Sequence, residues 1–212
     1  TTADAVTLAG GRAQFGTDSV SLAEVAQAAT LHPERLPEGE DPGLEISAVY
    51  EPTRSTGAFS YATHACVLAV DPGTGEIEIL DYVVVHDCGR MVNPMIVEAQ
   101  VVGGVAQGLG TALYEEIPYD SNGQPMASTF LDYMIPGFAE VPDIRVLHIE
   151  TPSPHTQYGI KGLGEGGAIS PPAAVVNAIN DALRGLGAEI NQTPVTPLRI
   201  LEAIESAATL SV

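Results

Sequence analysis

The sequence predicts an α+β fold, and three observations carry that prediction. Residues 60–71 and 76–88 are rich in Val, Ile and Tyr, alternate in polarity, and are split by the turn "DPGTGE", which is the pattern of a β-hairpin. Farther on, "SPPAAVVNAINDALRGLG" opens on Ser-Pro-Pro and closes on glycine, the start and stop signals of a helix over 171–184. Strand pairs and helices alternate unevenly between these points, without the regular βαβ rhythm of a doubly wound sheet.

In chain order, "SLAEVAQAAT" (21–30) has Ser21 followed three residues later by Glu24, a capping box that predicts a short helix. The segment "DPGLEISAVYEP" (41–52) reads as a loop feeding a strand. In the hairpin of 60–88, a turn at 71–76 sets Cys66 opposite about Asp81, so that Cys66 and Cys88 are too far apart for a disulfide. Next, "NPMIVEAQVVGGVAQGLGTALYEE" (93–116) offers Asn93 as a cap, Pro94 at the first helical position and apolar residues at helical spacing. Gly103, Gly104, Gly108 and Gly110 each cost about 1 kcal/mol relative to alanine inside a helix. A helix that keeps four of them is crossed closely by another backbone or by a ligand. The strand "RVLHIET", the helix of 171–184 and a last short helix, "TPLRILEAIESA", complete the chain. A strand-rich part over about 1–92 and a helix/strand part over about 93–212 are the expected divisions.

Composition excludes several functions. The 212 residues are enough for one large domain or two small ones, and 45% of them are hydrophobic with no tryptophan, so the core is expected to be aliphatic. A formal charge of −19 with no basic stripe argues against nucleic acid as a partner. No run reaches the roughly 18 apolar residues needed to span a bilayer. Two unpaired thiols suit a reducing compartment, so the cytoplasm is the expected location.

The stretch "YGIKGLGEGGAISPP" (158–172) packs five glycines, one glutamate and the sole lysine of the chain into fifteen residues. Gly162-Leu163-Gly164-Glu165-Gly166-Gly167 spells G-x-G-x-x-G, but a dinucleotide fingerprint needs an apolar strand before it. The preceding "SPHTQYGIK" contains a proline and several polar residues, which argues against a nucleotide-binding module. A structural reading makes the run a tight loop that starts a helix, with Glu165 solvated near the positive helix end. A functional reading takes the bare backbone as room for a ligand at the Glu165 oxygens, with an enclosed carboxylate suited to act as a general base. His86, Asp87 and Cys88 all belong to metal-ligating types, but no second cluster stands at ligand spacing, so Asp87 and Cys88 read as structural. His148 and His155 lie near strand ends, and His155 is a candidate for the approach to the run.

Three segments in order carry a resemblance: "HDCGRMVNPMIVEAQVVGGVAQGLGTALYEE", "TFLDYMIPGFAEVPDI" and "GIKGLGEGGAISPPAAVVNAINDAL". Together they resemble the C-terminal part of the large subunit of molybdenum hydroxylases, the xanthine dehydrogenase/aldehyde oxidase family. The likeness is nearest in flavour to bacterial carbon monoxide dehydrogenase-like and aldehyde dehydrogenase large subunits, and it runs from about Val6 to Ala207.

That resemblance implies a molybdenum-dependent oxidoreductase that hydroxylates an aldehyde or N-heteroaromatic substrate with water as the oxygen source. Glu165 would be the catalytic base. Cofactor contacts would come from Gln100, from Gln107 in the same helix, and from Lys161, Gly162, Leu163, Gly164 and Gly166, with no protein ligand to the metal. The implied cofactor is molybdopterin cytosine dinucleotide, shared with a partner chain that holds the rest of the molybdenum site. The implied further partners are a 2Fe–2S subunit and an FAD subunit. Family large subunits are several times longer than this chain, which is expected to begin mid-domain and to work only in a complex, exposing apolar interface when alone. A noncatalytic scaffold or assembly fragment of such an enzyme is the alternative.

Overall fold

The computed structural model describes residues 3–51 and 58–210. The chain divides into two compact units, Thr1–Glu51 and Pro52–Val212. Residue 92 falls inside the second unit, where the strands before it and the helix after it share one core.

In the first unit, β1 (Thr7–Ala9), β2 (Arg12–Phe15) and β3 (Asp18–Ser21) form an antiparallel meander. Both turns use glycine in the left-handed region, Gly10 and Gly11 at φ 56° and 72° and Gly16 at φ 58°, which other residues adopt at a steric cost. Helix α1 (Leu22–Thr30) follows directly. Its capping box is formed, with the Glu24 amide donating to Ser21 Oγ at 3.1 Å and the Ser21 amide donating to Glu24 Oε2 at 3.0 Å. The strand expected to follow the loop at 41–52 does not form: residues 46–51 are irregular and exposed, with no strand pairing them among the described residues, and Pro52 lies outside those residues.

The second unit is built on the predicted hairpin. Strands β4 (Tyr61–Val70) and β5 (Ile77–Asp87) pair antiparallel, and β6 (Ile144–His148) adds to β5 in parallel. Cys66 faces Tyr82 rather than Asp81, because a bulge after Val67 takes up one residue of β5. Both cysteines are free. One face of the sheet is covered by α2 (Pro94–Leu113), α3 (Pro171–Leu183) and α4 (Pro197–Leu210). Asn93 Oδ1 caps α2 by accepting from the Ile96 amide, and Pro94 occupies the first turn.

The core is aliphatic, as composition required. Val84, Val101, Val105, Leu109, Val175, Ile179 and Ile200 are wholly buried, with Tyr82 the one large aromatic among them. Each such aliphatic side chain contributes about 1.5–3 kcal/mol relative to exposure. The glycines of α2 show why they are tolerated. A Cβ on Gly104 would stand 2.8 Å from the Gly167 Cα, and one on Gly108 would stand 2.7 Å from the Pro171 ring. The backbone that crosses α2 is therefore the glycine run itself and the start of α3.

Candidate active site

The glycine run leaves the end of β5 under tight control. The Lys161 amide donates to the Cys88 carbonyl at 2.8 Å, and Gly89 and Ile160 form an isolated antiparallel bridge. A Cβ on Gly89 would lie 2.2 Å from the Gly159 oxygen, so the two segments meet backbone to backbone. The Lys161 ammonium turns inward, 3.1 Å from Asp87 Oδ1 and 4.6 Å from the centre of the Tyr61 ring. Both partners are buried, with 8% and 1% of their side chains exposed. Asp87 Oδ1 also accepts from the Gly89 amide at 2.7 Å. Burial alone would raise the Asp87 carboxyl; the hydroxyls of Thr151 and Tyr61, the Gly89 amide and the Lys161 ammonium outweigh it and hold the group well below the usual carboxylate range. The only lysine is thus committed to a carboxylate of its own chain. Its charge faces inward, away from the cofactor contact that the resemblance implied for Lys161.

Past Lys161 the run divides into two halves. Gly166 and Gly167 are required by packing: a Cβ on Gly166 would lie 2.3 Å from His86 Nε2, and one on Gly167 would lie 2.3 Å from the Val101 oxygen. Gly162 and Gly164 are different, since a Cβ at either meets no atom within 4 Å. Their φ angles lie outside the left-handed region, so neither packing nor conformation of this chain demands glycine there. The amides of Gly162, Leu163, Gly164 and Glu165 have no hydrogen-bond partner among the described residues, whereas those of Gly166 and Ala168 close turns onto the Leu163 and Glu165 carbonyls. One half is a seat and the other an open cradle of donors.

Glu165 stands on this open half. It is exposed, and its carboxylate makes no hydrogen bond or ion pair among the described residues. Enclosure, expected from the sequence, is not supplied by these residues. Gln100 projects from α2 to the same place and donates through Nε2 to the Gly164 carbonyl at 2.7 Å. Gln107 lies two turns farther along the same side of α2, exposed like Gln100, with Gly103 between them and nothing within 4 Å of a Cβ there. The structure therefore brings Gln100, Gly162, Leu163, Gly164 and Glu165 together, with Gln107 farther along the same stripe. His155 is half-buried on the loop before the run, its amide donating to Ser153 Oγ at 3.2 Å.

Sequence reasoning missed the inner layer. His64, His86 and His148 lie on β4, β5 and β6, and the register pairs His86 with His148 and with Ala62, two residues from His64. Alternation alone could have placed all three on one face of the sheet. The Lys161–Asp87 pair, which joins residues 74 apart, left no comparable signal.

The family model of the molybdopterin cofactor-binding domain matches residues 1–142. The chain belongs to the molybdopterin cofactor-binding domain family. It is 42% identical over 184 residues to the nicotine 6-hydroxylase large subunit of Paenarthrobacter nicotinovorans, covering 87% of this chain and 22% of that protein. It is 31% identical to the carbon monoxide dehydrogenase large chain of Hydrogenophaga pseudoflava, again covering 87% of this chain and 22% of the relative. Among solved structures, quinoline 2-oxidoreductase from Pseudomonas putida 86 superimposes with a TM-score of 0.80 at 42% identity, over 95% of this chain and 26% of that one. This member of the molybdopterin cofactor-binding domain family thus spans about a quarter of the relatives it matches. The α+β architecture with mixed sheets and packed helices is the one these domains share.

The residues present fit such a cofactor. Free amides and a glutamine edge match the donors and acceptors that the polar rim of a molybdopterin needs. The two unfilled Cβ positions at Gly162 and Gly164 leave space for it to lie against bare backbone.

Proposed function

We propose that this chain is part of a molybdenum hydroxylase, in which Glu165 is the general base of an oxidative hydroxylation. The overall change replaces a C–H bond with C–OH, takes oxygen from water, and releases two electrons and two protons. The substrate class is an aldehyde or an N-heteroaromatic ring. When bound, the molybdenum centre would accept the electron pair and acidify the attacking oxygen. Glu165 would take the proton, Gln100 and the amides of Gly162–Gly164 would hold the cofactor, and Gln107 would extend that contact along α2. Leu163, Gly166 and the Lys161 backbone would shape the floor. The observation that carries this reading is the open half of the run, where an unpaired carboxylate stands among unused amides beside Gln100.

The cofactor expected here is the cytosine dinucleotide form, shared with a chain or segment that supplies the other wall of the site. Apolar surface supports such a partner: Phe130, Leu131 and Phe138 are 85%, 92% and 102% exposed. A 2Fe–2S subunit and an FAD subunit would carry electrons onward. No helix among the described residues is long and apolar enough to cross a membrane. The free thiols are the support for placing the assembly in the cytoplasm.

The test is Glu165→Gln in the purified complex, read by molybdenum content and by turnover of aldehydes and N-heterocycles. The expected result is full molybdenum and a loss of turnover of about 10²–10⁴-fold, the range of a general base. Normal turnover with molybdenum retained would refute the base and leave a noncatalytic, structural role for this chain.

A further inference from the structure

We propose that His86 is a positioning residue for Glu165: the Glu165 loop is seated on the neutral imidazole of His86, which stands between His64 and His148 in the sheet, and protonation of His86 unseats it. Only the consequence for turnover rests on the function proposed above; the seat itself is a matter of packing. His86 is 1% exposed, and neither of its ring nitrogens has a hydrogen-bond partner among the described residues. Gly166 lies directly on it, so closely that any side chain at 166 would strike Nε2. Glu165 is the adjacent residue, and its own carbonyl is tied by the Ala168 amide at 2.9 Å, so a shift of Gly166 carries Glu165 with it.

A buried imidazole with no partner is tolerable when neutral and costly when charged. Burial first, and then the neighbouring His148 of β6, hold His86 below its ordinary value, while Asp87, next to it on β5, acts in the opposite sense. On β4, burial first and then His86 lower His64, which the Gly166 backbone partly offsets; its Nδ1 lies 3.0 Å from the Tyr82 hydroxyl. On the loop side Lys161 is already paired with Asp87 and Glu165 is exposed; on the packed helices, Glu98 of α2 is exposed and Asp181 of α3 is paired with Arg184. Among the described residues no group of three or more histidine, cysteine or carboxylate side chains could hold a metal ion.

The sign follows from linkage. With the loop lifted, His86 is hydrated and titrates near the ordinary imidazole value of about 6.5; seated, it titrates lower. The seat is therefore whole above about pH 6.5 and weakens as pH falls through that value toward the folded-state one. One proton gives a rise in loop opening of up to about tenfold per pH unit.

The experiment is amide hydrogen exchange of residues 158–170, read by mass spectrometry on the purified protein carrying this chain, between pH 7.5 and 5. Rates are corrected for intrinsic pH dependence. Opening is expected to rise as pH falls below about 6.5, by up to about tenfold per pH unit, with the β4–β5 hairpin unchanged. Histidine C2-hydrogen exchange in the same samples should place the His86 midpoint below that of a free imidazole, with the pH dependence of opening following its protonation. In His86→Met, which fills the seat without titrating, opening should be flat with pH. A flat wild-type profile, a His86 midpoint at the free value, or a rise that survives in His86→Met would each overturn the proposal. Glu165→Gln should keep the pH-dependent opening whatever it does to turnover, so failure of the base reading and failure of the seat are told apart.

Discussion

Alanine placed at Gly164 and at Gly167 should have opposite effects, because the glycine run is bare for two reasons. A Cβ on Gly167 would stand 2.3 Å from the Val101 oxygen, 3.0 Å from its carbonyl carbon and 3.1 Å from the Gly104 Cα. All three atoms belong to the α2 backbone, which cannot rotate aside as a side chain would. Overpacking of this kind costs about 1–3 kcal/mol, or a fall in Tm of about 2–12 °C for a unit of this size. At Gly164 no atom lies within 4 Å and φ is not left-handed. There alanine should stabilise by about 0.4–1 kcal/mol, by narrowing the unfolded ensemble. The same methyl group would fill the cradle where the cofactor is proposed to lie. Thermal unfolding of the metal-free protein, with molybdenum analysis of the protein from cells, separates the two effects. Gly167→Ala should lose stability. Gly164→Ala should keep or gain stability and lose molybdenum. A Gly164→Ala protein as unstable as Gly167→Ala, or one with full molybdenum and an unchanged kcat/KM, would refute the division of the run.

Lys161→Gln should destabilise the second unit by about 3–5 kcal/mol in urea unfolding, because it leaves the Asp87 charge buried and unpaired. Adding Asp87→Asn should restore part of that loss, and a double variant no more stable than the single would count against the pair as the anchor of the loop. Because the Asp87 carboxyl is held low in the folded state, its contribution is complete above the ordinary carboxylate value of about 4 and is lost as pH falls below it, so Asp87→Asn should flatten the acid limb of stability. Burial pushes the Cys66 thiol up to about 11, so in native protein at pH 8 its thiolate is only about a thousandth of the total and iodoacetamide should label it far more slowly than in urea. Ser21→Ala removes the α1 cap at a cost of about 1 kcal/mol, visible as faster amide exchange in residues 22–30.

Much of the second unit could be read from local pattern. The hairpin, α2, α3 and the last helix each carry a periodicity and a boundary signal within one short stretch, and each formed within a few residues of its expected limits. The first unit was harder to read, because β1, β2 and β3 are three or four residues long, too short to show a period. What sets them is the left-handed glycines at 10, 11 and 16, a signal of turns rather than of strands. The register at Cys66 failed by one residue for a related reason: a bulge leaves no mark on polarity alternation when the residue it absorbs, Leu80, is itself apolar and exposed.

The site was legible to the extent that its chemistry is local in sequence. Glu165 and its glycines announce themselves in fifteen residues, and Gln100 stands in a helix whose glycines mark a close crossing. The sequence could not say which glycine serves which purpose, because that depends on what lies above each Cα. Gly166 and Gly167 look like Gly162 and Gly164 in a row of letters, yet the first pair meets a histidine ring and a helix backbone while the second meets nothing. The same blindness misplaced Lys161. A lone lysine beside a ligand-binding run invites an anion on the ligand, and only the fold brings Asp87 across 74 residues to claim it. A charge that serves the loop from beneath and a carboxylate that faces outward from it are separable functions. They predict different failures: loss of Lys161 should loosen the whole run, and loss of the Glu165 charge should leave it standing.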